Sequence, residues 1–260
     1  MTYATKFAAT TAVALALSTS SALADFLQLE NLSASWGPTV GGTSVNYDGN
    51  GTDNPFIAWG TPVITGDSVD HGGIIGFGSG YELSIPLDPV PDPAVAPDGA
   101  SFDFGTFTHF NNPISAGTAI TSTQLQLIAD VTLRSPELTD PPVTIVDDAT
   151  FTFNFEHNET PNVAGNCPED AIPCDDIVTV TLLNDTSSVV VDGVEYTLTF
   201  LGFRQDGVLN EQFISPEGGF SPGVIEAQFT ATEIPAPATV LLLGTGLLGL
   251  SAVQRRKKAA

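Results

Sequence analysis

The chain has 260 residues, 42% of them hydrophobic, with 30 acidic and seven basic side chains and a formal charge of −23. All 30 acids but only two bases, Arg134 and Arg204, fall within residues 25–234, so this stretch carries 2 − 30 = −28, a balance that excludes a polyanion such as nucleic acid as partner. Sixteen phenylalanines among many Val, Ile and Leu residues exclude disorder as the reason for the charge, and the length suits one large β domain.

Residues 1–24 read as a secretory signal peptide. Lys6 supplies the positive start, Phe7 to Leu17 the apolar segment, and Ala22-Leu23-Ala24 a small-x-small cleavage site that leaves Asp25 as the mature N-terminus. Passage through the secretory translocase and cutting by signal peptidase are the expectation. The runs "FLQLENL", "TSVNY", "FIAWG" and "YELSIPL" predict short strands. Between the second and third, "DGNGTDN" sets Asp48, Asn50, Thr52 and Asn54 at alternate positions. Their oxygens suit a calcium loop, with an ordinary Asn/Gly-rich turn as the other reading. The EF-hand pattern fails, because Asp53 stands where glycine is needed and Trp59 where the bidentate glutamate belongs. Trp36 and Trp59 suit a core, and alternatively a sugar-stacking surface. "PLDPVPDPAVAPDGA" reads as an extended Pro-rich loop.

In "SFDFGTFTHF", Phe102 and Phe104 share one face, Gly105 invites a bulge, and Phe107 and His109 share the next phase before "NNPI" ends the strand. "TQLQLIADVTL" places Leu125, Leu127, Ala129, Val131 and Leu133 at every second position, the period of a half-buried strand. "TFTFNFEH" repeats the pattern with Phe151, Phe153, Phe155 and then His157. The two strand-end histidines predict a structural role, their rings bridging backbone groups of the corners. The alternative is convergence on a metal with Glu156 or Glu159. Cys167 and Cys174, the only cysteines, predict a disulfide in an oxidising compartment, closing an eight-residue loop for about 2.5 kcal/mol. Around them Glu169, Asp170, Asp175 and Asp176 read as solvated charge, or as a second calcium loop. "SSVVVDGVEYTLTF" carries Asp192-Gly193 between β-branched runs, a type I′ hairpin signal, and "VIEAQFTA" predicts the last strand. No amphipathic helix is evident between Asp25 and Ile234. The expected fold is all-β: a single antiparallel β-sandwich, jelly-roll-like, over residues 25–234.

Residues 235–260 form a separate unit. From Ala238 to Val253 run 16 uncharged residues, about 24 Å of helix, slightly less than a ~30 Å bilayer core. Arg255, Arg256, Lys257 and Lys258 follow and would be held in the cytoplasm. The Pro235-Ala236-Pro237 start, the Leu/Gly-rich stretch and the basic end resemble the PEP-CTERM sorting signal of exopolysaccharide-producing Gram-negative bacteria, or its VPLPA variant; Ala236 stands where the first has Glu and the second Leu. The resemblance implies an exosortase that recognises the tail and cuts near the prolines. Within the body, "GTFTHFNNPI", "HNETPN", "CPEDAIPCDDIVTV", "AWGTP" and "YTLTFLGF" together resemble the THxN, or choice-of-anchor K, family of exported bacterial proteins. Thr108, His109 and Asn111 match its motif, and the resemblance implies a β-rich body joined to interchangeable anchors, with no activity attached.

Enzyme signatures are missing: there is no Gly-x-Ser-x-Gly elbow, His-Glu-x-x-His helix or phosphate loop, and only His71, His109 and His157 could serve as a histidine base. A glycosidase carboxylate pair has no positive support. The expectation is therefore a non-enzymatic exported surface or matrix protein, without a cofactor except possible calcium, associated with exopolysaccharide or biofilm. The alternative is a carbohydrate- or calcium-dependent binding module anchored in the periplasm.

Overall fold

A computed structural model describes residues 26–63, 69–71, 74–86, 89–97, 99–134, 143–160, 174–182, 188–191 and 193–234. The predicted signal peptide, Cys167 and the tail from residue 235 lie outside them; Cys174 lies within and is fully buried. In chain order the strands are β1 (Phe26–Gly41), β2 (Asn46–Asp48), β3 (Phe56–Trp59), β4 (Val69–His71), β5 (Ile74–Phe77), β6 (Ser79–Ser84), β7 (Val90–Val95) and β8 (Phe102–Asn111). Then come β9 (Ile120–Arg134), β10 (Val143–Asn158), β11 (Asp176–Leu182), β12 (Ser188–Val191), β13 (Val194–Gln205), β14 (Val208–Asn210), β15 (Gln212–Ser215) and β16 (Gly219–Glu233). Among the described residues there is no helix long and apolar enough to cross a membrane.

One sheet runs β15-β11-β10-β9-β1-β7 and the other β12-β13-β16-β8-β6-β3-β2, with β14 beside β13 and β4-β5 as a small separate ribbon. Every ladder is antiparallel. The period-2 pattern explains how the sheets meet. Leu125, Leu127, Ala129 and Val131 of β9 all turn inward, as do Phe151, Phe153 and Phe155 of β10. They face the other sheet directly: Phe153 stacks on Phe200 of β13 at 3.8 Å and 4°, Phe155 on Phe107 of β8 at 5.5 Å, and Trp36 of β1 meets Tyr81 of β6 at 5.8 Å. One continuous apolar core results, in a sandwich-like arrangement. Trp36 and Trp59 both belong to it and are buried, so neither presents an indole for sugar stacking.

Local irregularities fall where the sequence marks them. In β8 the partner of Ile225 is Gly105 while that of Glu226 is Asp103, so Phe104 is the extra residue of a bulge and the inward phase shifts from Phe102 and Phe104 to Phe107, His109 and Asn111. Asp192 and Gly193 lie between the paired residues Val191 and Val194, and Gly193 takes a left-handed φ of 82° that glycine reaches without strain. The Pro-rich segment departs from its expectation as a loop. It forms β7, bonded on one side to β1, because an edge strand asks for only half of its backbone donors and tolerates proline.

The two arginines of the body tie strands together. Arg204 of β13 reaches Asp103 of β8 at 2.7 Å and Glu226 of β16 at 3.0 Å, while Arg134 of β9 bonds Gln28 and approaches Glu30 of β1 at 3.8 Å. Asp130 of β9 works the same way with the charge reversed. Its carboxylate accepts from Asn31 Nδ2 at 2.7 Å on one side and from the Asp148 backbone N–H at 3.0 Å on the other. Asn31 and Asp148 both have left-handed φ angles, 52° and 51°, and sit at register shifts of β1 and β10.

Candidate functional site

At one end of the core the apolar lining gives way to a polar cluster. Alternation along β8 aims His109 inward beside its cross-strand partner Tyr81 of β6, and alternation along β10 does the same for His157. The two imidazoles meet edge to face with centroids 5.3 Å apart. Trp59 covers both, 6.1 Å from His109 and 5.3 Å from His157. Asp176, the first residue of β11, completes a group in which one ring nitrogen from each histidine and one carboxylate oxygen lie within 4.8 Å of one another. Asp176 also belongs to a carboxylate group with Glu159 and Glu217, again within 4.8 Å.

Each member is held by its neighbours. Tyr81 Oη bonds His157 Nδ1 at 2.6 Å, leaving Nε2 3.3 Å from Glu159 Oε2 and 3.8 Å from Asp176 Oδ2. Ser79 Oγ lies 3.0 Å from His109 Nε2. Asp176 Oδ1 accepts the Thr160 backbone N–H at 2.9 Å, and Thr160 Oγ1 donates to Asp175 O at 2.9 Å, closing the corner between β10 and β11. Asn111, buried two residues beyond His109, donates from Nδ2 to Ser215 O at 2.9 Å and accepts the Gly218 backbone N–H at 2.7 Å through its own carbonyl. That double contact fixes the turn between β15 and β16, which carries Glu217.

Seclusion from water governs the charges. Burial drops His157 to about 4 and His109 well below the ordinary imidazole value, so both rings are neutral near pH 7. Burial raises Asp176 well above the usual carboxylate range, and repulsion from Glu159 adds to the effect; Glu159 is raised by burial too. The Tyr81 phenol is likewise pushed up, first by burial and then by the charges of Asp176 and Glu159.

Several sequence expectations resolve here. His109 does sit at the end of its strand, but its ring meets Ser79 and not the backbone of the corner. Of the two glutamates considered beside His157, Glu159 reaches the cluster, whereas Glu156 is exposed on the opposite face of β10, as alternation demands. Asp176, expected as solvated charge or part of a second calcium loop, is fully enclosed. Its phase relative to Val178 and Val180 was the available signal, since a residue two positions before an inward valine points inward. Glu217 had no comparable signal.

The other candidate, at residues 48–54, folds as a clamped turn. Asn50 accepts the Trp36 backbone N–H through Oδ1 and donates through Nδ2 to Trp36 O, both at 2.9 Å. Thr52 Oγ1 donates to Gly49 O at 2.6 Å and accepts from the Asn54 backbone N–H at 3.1 Å. The Asn50 and Thr52 oxygens serve the turn and its attachment to β1, while Asn54 Oδ1 is buried without a hydrogen-bond partner among the described residues. Asp48, in β2, stands within the adjoining ladder to β3.

The sheet that carries His109 also carries the exit from the body. β16 ends at Glu233, and Ile234 N–H donates to Gly193 O at 2.7 Å. The PEP-CTERM protein-sorting motif matches residues 233–257, so it begins on the last residue of that strand. No curated protein matches the chain. The motif implies an exported protein of Gram-negative bacteria that passes through a membrane-anchored intermediate and has exosortase as its processing partner.

Proposed function

We propose that this is a non-enzymatic surface or extracellular-matrix protein, delivered by its sorting tail and associated with exopolysaccharide or biofilm. The observation that carries the reading is the position of the sorting motif, which starts where β16 ends and so joins the tail to an all-β body without an intervening segment. The signal peptide ending at Ala24 would deliver the chain to the translocase and signal peptidase, and a Cys167–Cys174 bridge would form after export. A jelly-roll-like sandwich of the THxN or choice-of-anchor K type fits the repeated crossing of the chain between two antiparallel sheets. A structural body also suits the sealing of its polar cluster: His109 and Asp176 are each 0% exposed, so no substrate reaches them without movement of the sheets.

The test is the intact mass of the protein recovered separately from inner membrane, outer surface and secreted polymer of producing cells. A species from Asp25 to near Pro237, concentrated in the polymer, is the expected result. Full-length tail retained in the inner membrane would overturn the matrix reading and favour an anchored periplasmic binding module.

A further inference from the structure

Ser79 decides which nitrogen of His109 carries the proton. Its hydroxyl donates to Phe110 O at 3.1 Å, so its oxygen, 3.0 Å from His109 Nε2, is left to accept. Nε2 is therefore protonated and Nδ1 keeps a bare lone pair, enclosed and with no hydrogen-bond partner among the described residues. Asp176 Oδ2 is also enclosed, with no hydrogen-bond partner among them. One buried acceptor without a donor, facing an enclosed carboxyl oxygen without a partner, leaves a place for an electropositive centre.

No arginine or lysine of the body supplies it. Residues 25–234 contain two basic side chains, and both are held elsewhere, Arg134 at Gln28 and Glu30 and Arg204 at Asp103 and Glu226. A cation bound here would come from outside the chain. We infer that His109, His157 and Asp176, flanked by Glu159 and Glu217, bind one first-row divalent transition-metal ion, of the Zn²⁺ or Mn²⁺ kind.

The donor set selects the class. Imidazole nitrogen favours these ions, whereas Ca²⁺ and Mg²⁺ prefer shells made wholly of oxygen. Metal–ligand bonds of about 2.0–2.2 Å place neighbouring ligand atoms about 3.3 Å apart, so atoms now within 4.8 Å need shifts on the order of 1 Å, within reach of side-chain torsions. The outer contacts also fit. A ligating histidine commonly fixes its second nitrogen on an oxygen, and here Ser79 Oγ stands on His109 Nε2 and Tyr81 Oη on His157 Nδ1. Asn111 contributes as a positioning residue through the turn that brings in Glu217.

The full chain, purified, stripped with a chelator and re-equilibrated separately with Zn²⁺, Mn²⁺ and Ca²⁺, is analysed for bound metal and for melting temperature. Asp176→Asn and Ser79→Ala are run alongside, with Co²⁺ as a spectroscopic probe of nitrogen ligation in the unaltered protein. One Zn²⁺ or Mn²⁺ per chain is expected, with a saturable rise in melting temperature, Co²⁺ bands in the visible, and no competition from equimolar Ca²⁺. Affinity falls at least 100-fold in Asp176→Asn and about 10- to 100-fold in Ser79→Ala. Failure of the unaltered chain to hold stoichiometric Zn²⁺ or Mn²⁺ overturns the inference. So does binding unchanged by Asp176→Asn, which would put the ion on the acidic surface, and so does Co²⁺ bound without visible bands. Because Co²⁺ and the metal count are read on the unaltered protein, a variant that fails to fold leaves the test intact.

Discussion

Replacing Phe155 with alanine removes a ring from the centre of the interface between the sheets. Phe155 is fully buried and its ring lies 5.0 Å from Trp36, 5.5 Å from Phe107, 6.4 Å from Phe203 and 6.5 Å from Tyr81. Truncating a buried phenylalanine costs about 3–5 kcal/mol, and aromatic neighbours drawn from both sheets place this site at the upper end, near 4–5 kcal/mol. Total stability for a domain is about 5–15 kcal/mol, so the loss takes a large share. At about 2–4 °C per kcal/mol for a body of this size, the melting temperature falls by roughly 10–20 °C. Urea unfolding followed by tryptophan fluorescence is the suitable assay, since Trp36 touches the altered position. Phe220→Ala is the control: Phe220 is 68% exposed, and its loss shifts stability by no more than about 0.5 kcal/mol. A loss below about 1 kcal/mol for Phe155→Ala, at an unchanged denaturant slope, would refute the packing of β10 against β8 and β13.

Asn50→Ala removes both ends of the clamp on Trp36 and lowers stability by about 1–2 kcal/mol; the gap in urea midpoint between variant and unaltered protein is the same with and without chelator if the residue serves the turn alone. Asp130 is held below the ordinary carboxylate range, chiefly by its bond from Asn31 and then by the Asp148 N–H. A depressed carboxylate contributes stability above its unfolded pKa and loses it as pH falls through the folded value, so Asp130→Asn flattens the acid limb of a melting-temperature profile below about pH 4. Gly202 has a φ of 147° and an added Cβ there would strike the Asn210 carbonyl, so Gly202→Ala costs roughly 2 kcal/mol or more in a urea titration. A body with 30 acids against two bases repels itself, and its melting temperature rises between 10 mM and 500 mM NaCl as the Debye length shrinks from about 30 Å toward about 4 Å.

Strand identity was written plainly in the chain where one face is wet and the other dry. The phase shift of β8 at Gly105, the inward rows of β9 and β10 and the Asp192-Gly193 hairpin follow from side-chain period and turn chemistry, which are local. Which strands become neighbours is not local. Nothing within β8 states that β16 and β6 flank it, because alternation names a face and never a partner. β7 stays hidden in the sequence for a related reason: proline marks a segment as unfit for a central strand but does not distinguish a loop from a one-sided edge. The cluster shows both effects. His109 and His157 were visible as inward residues at strand ends, while their meeting depends on two sheets facing one another. Asp176 was hidden by its neighbours, since an acid in a run of acids reads as solvated even when its phase points inward.

The position of β16 has a mechanical consequence. It lies between β13 and β8, pairing with β13 over residues 224–233 and with β8 over residues 219–227, and its last residue is the first of the sorting motif. In an anchored molecule, drag on the body is transmitted along the axis of β16, and two ladders resist it in shear, many hydrogen bonds at once. A tail attached to an edge strand such as β7 or β15 would meet resistance from a single ladder. Tension at the anchor is thereby spread into the middle of a sheet, so the body can be tugged by surrounding polymer while its fold stays closed.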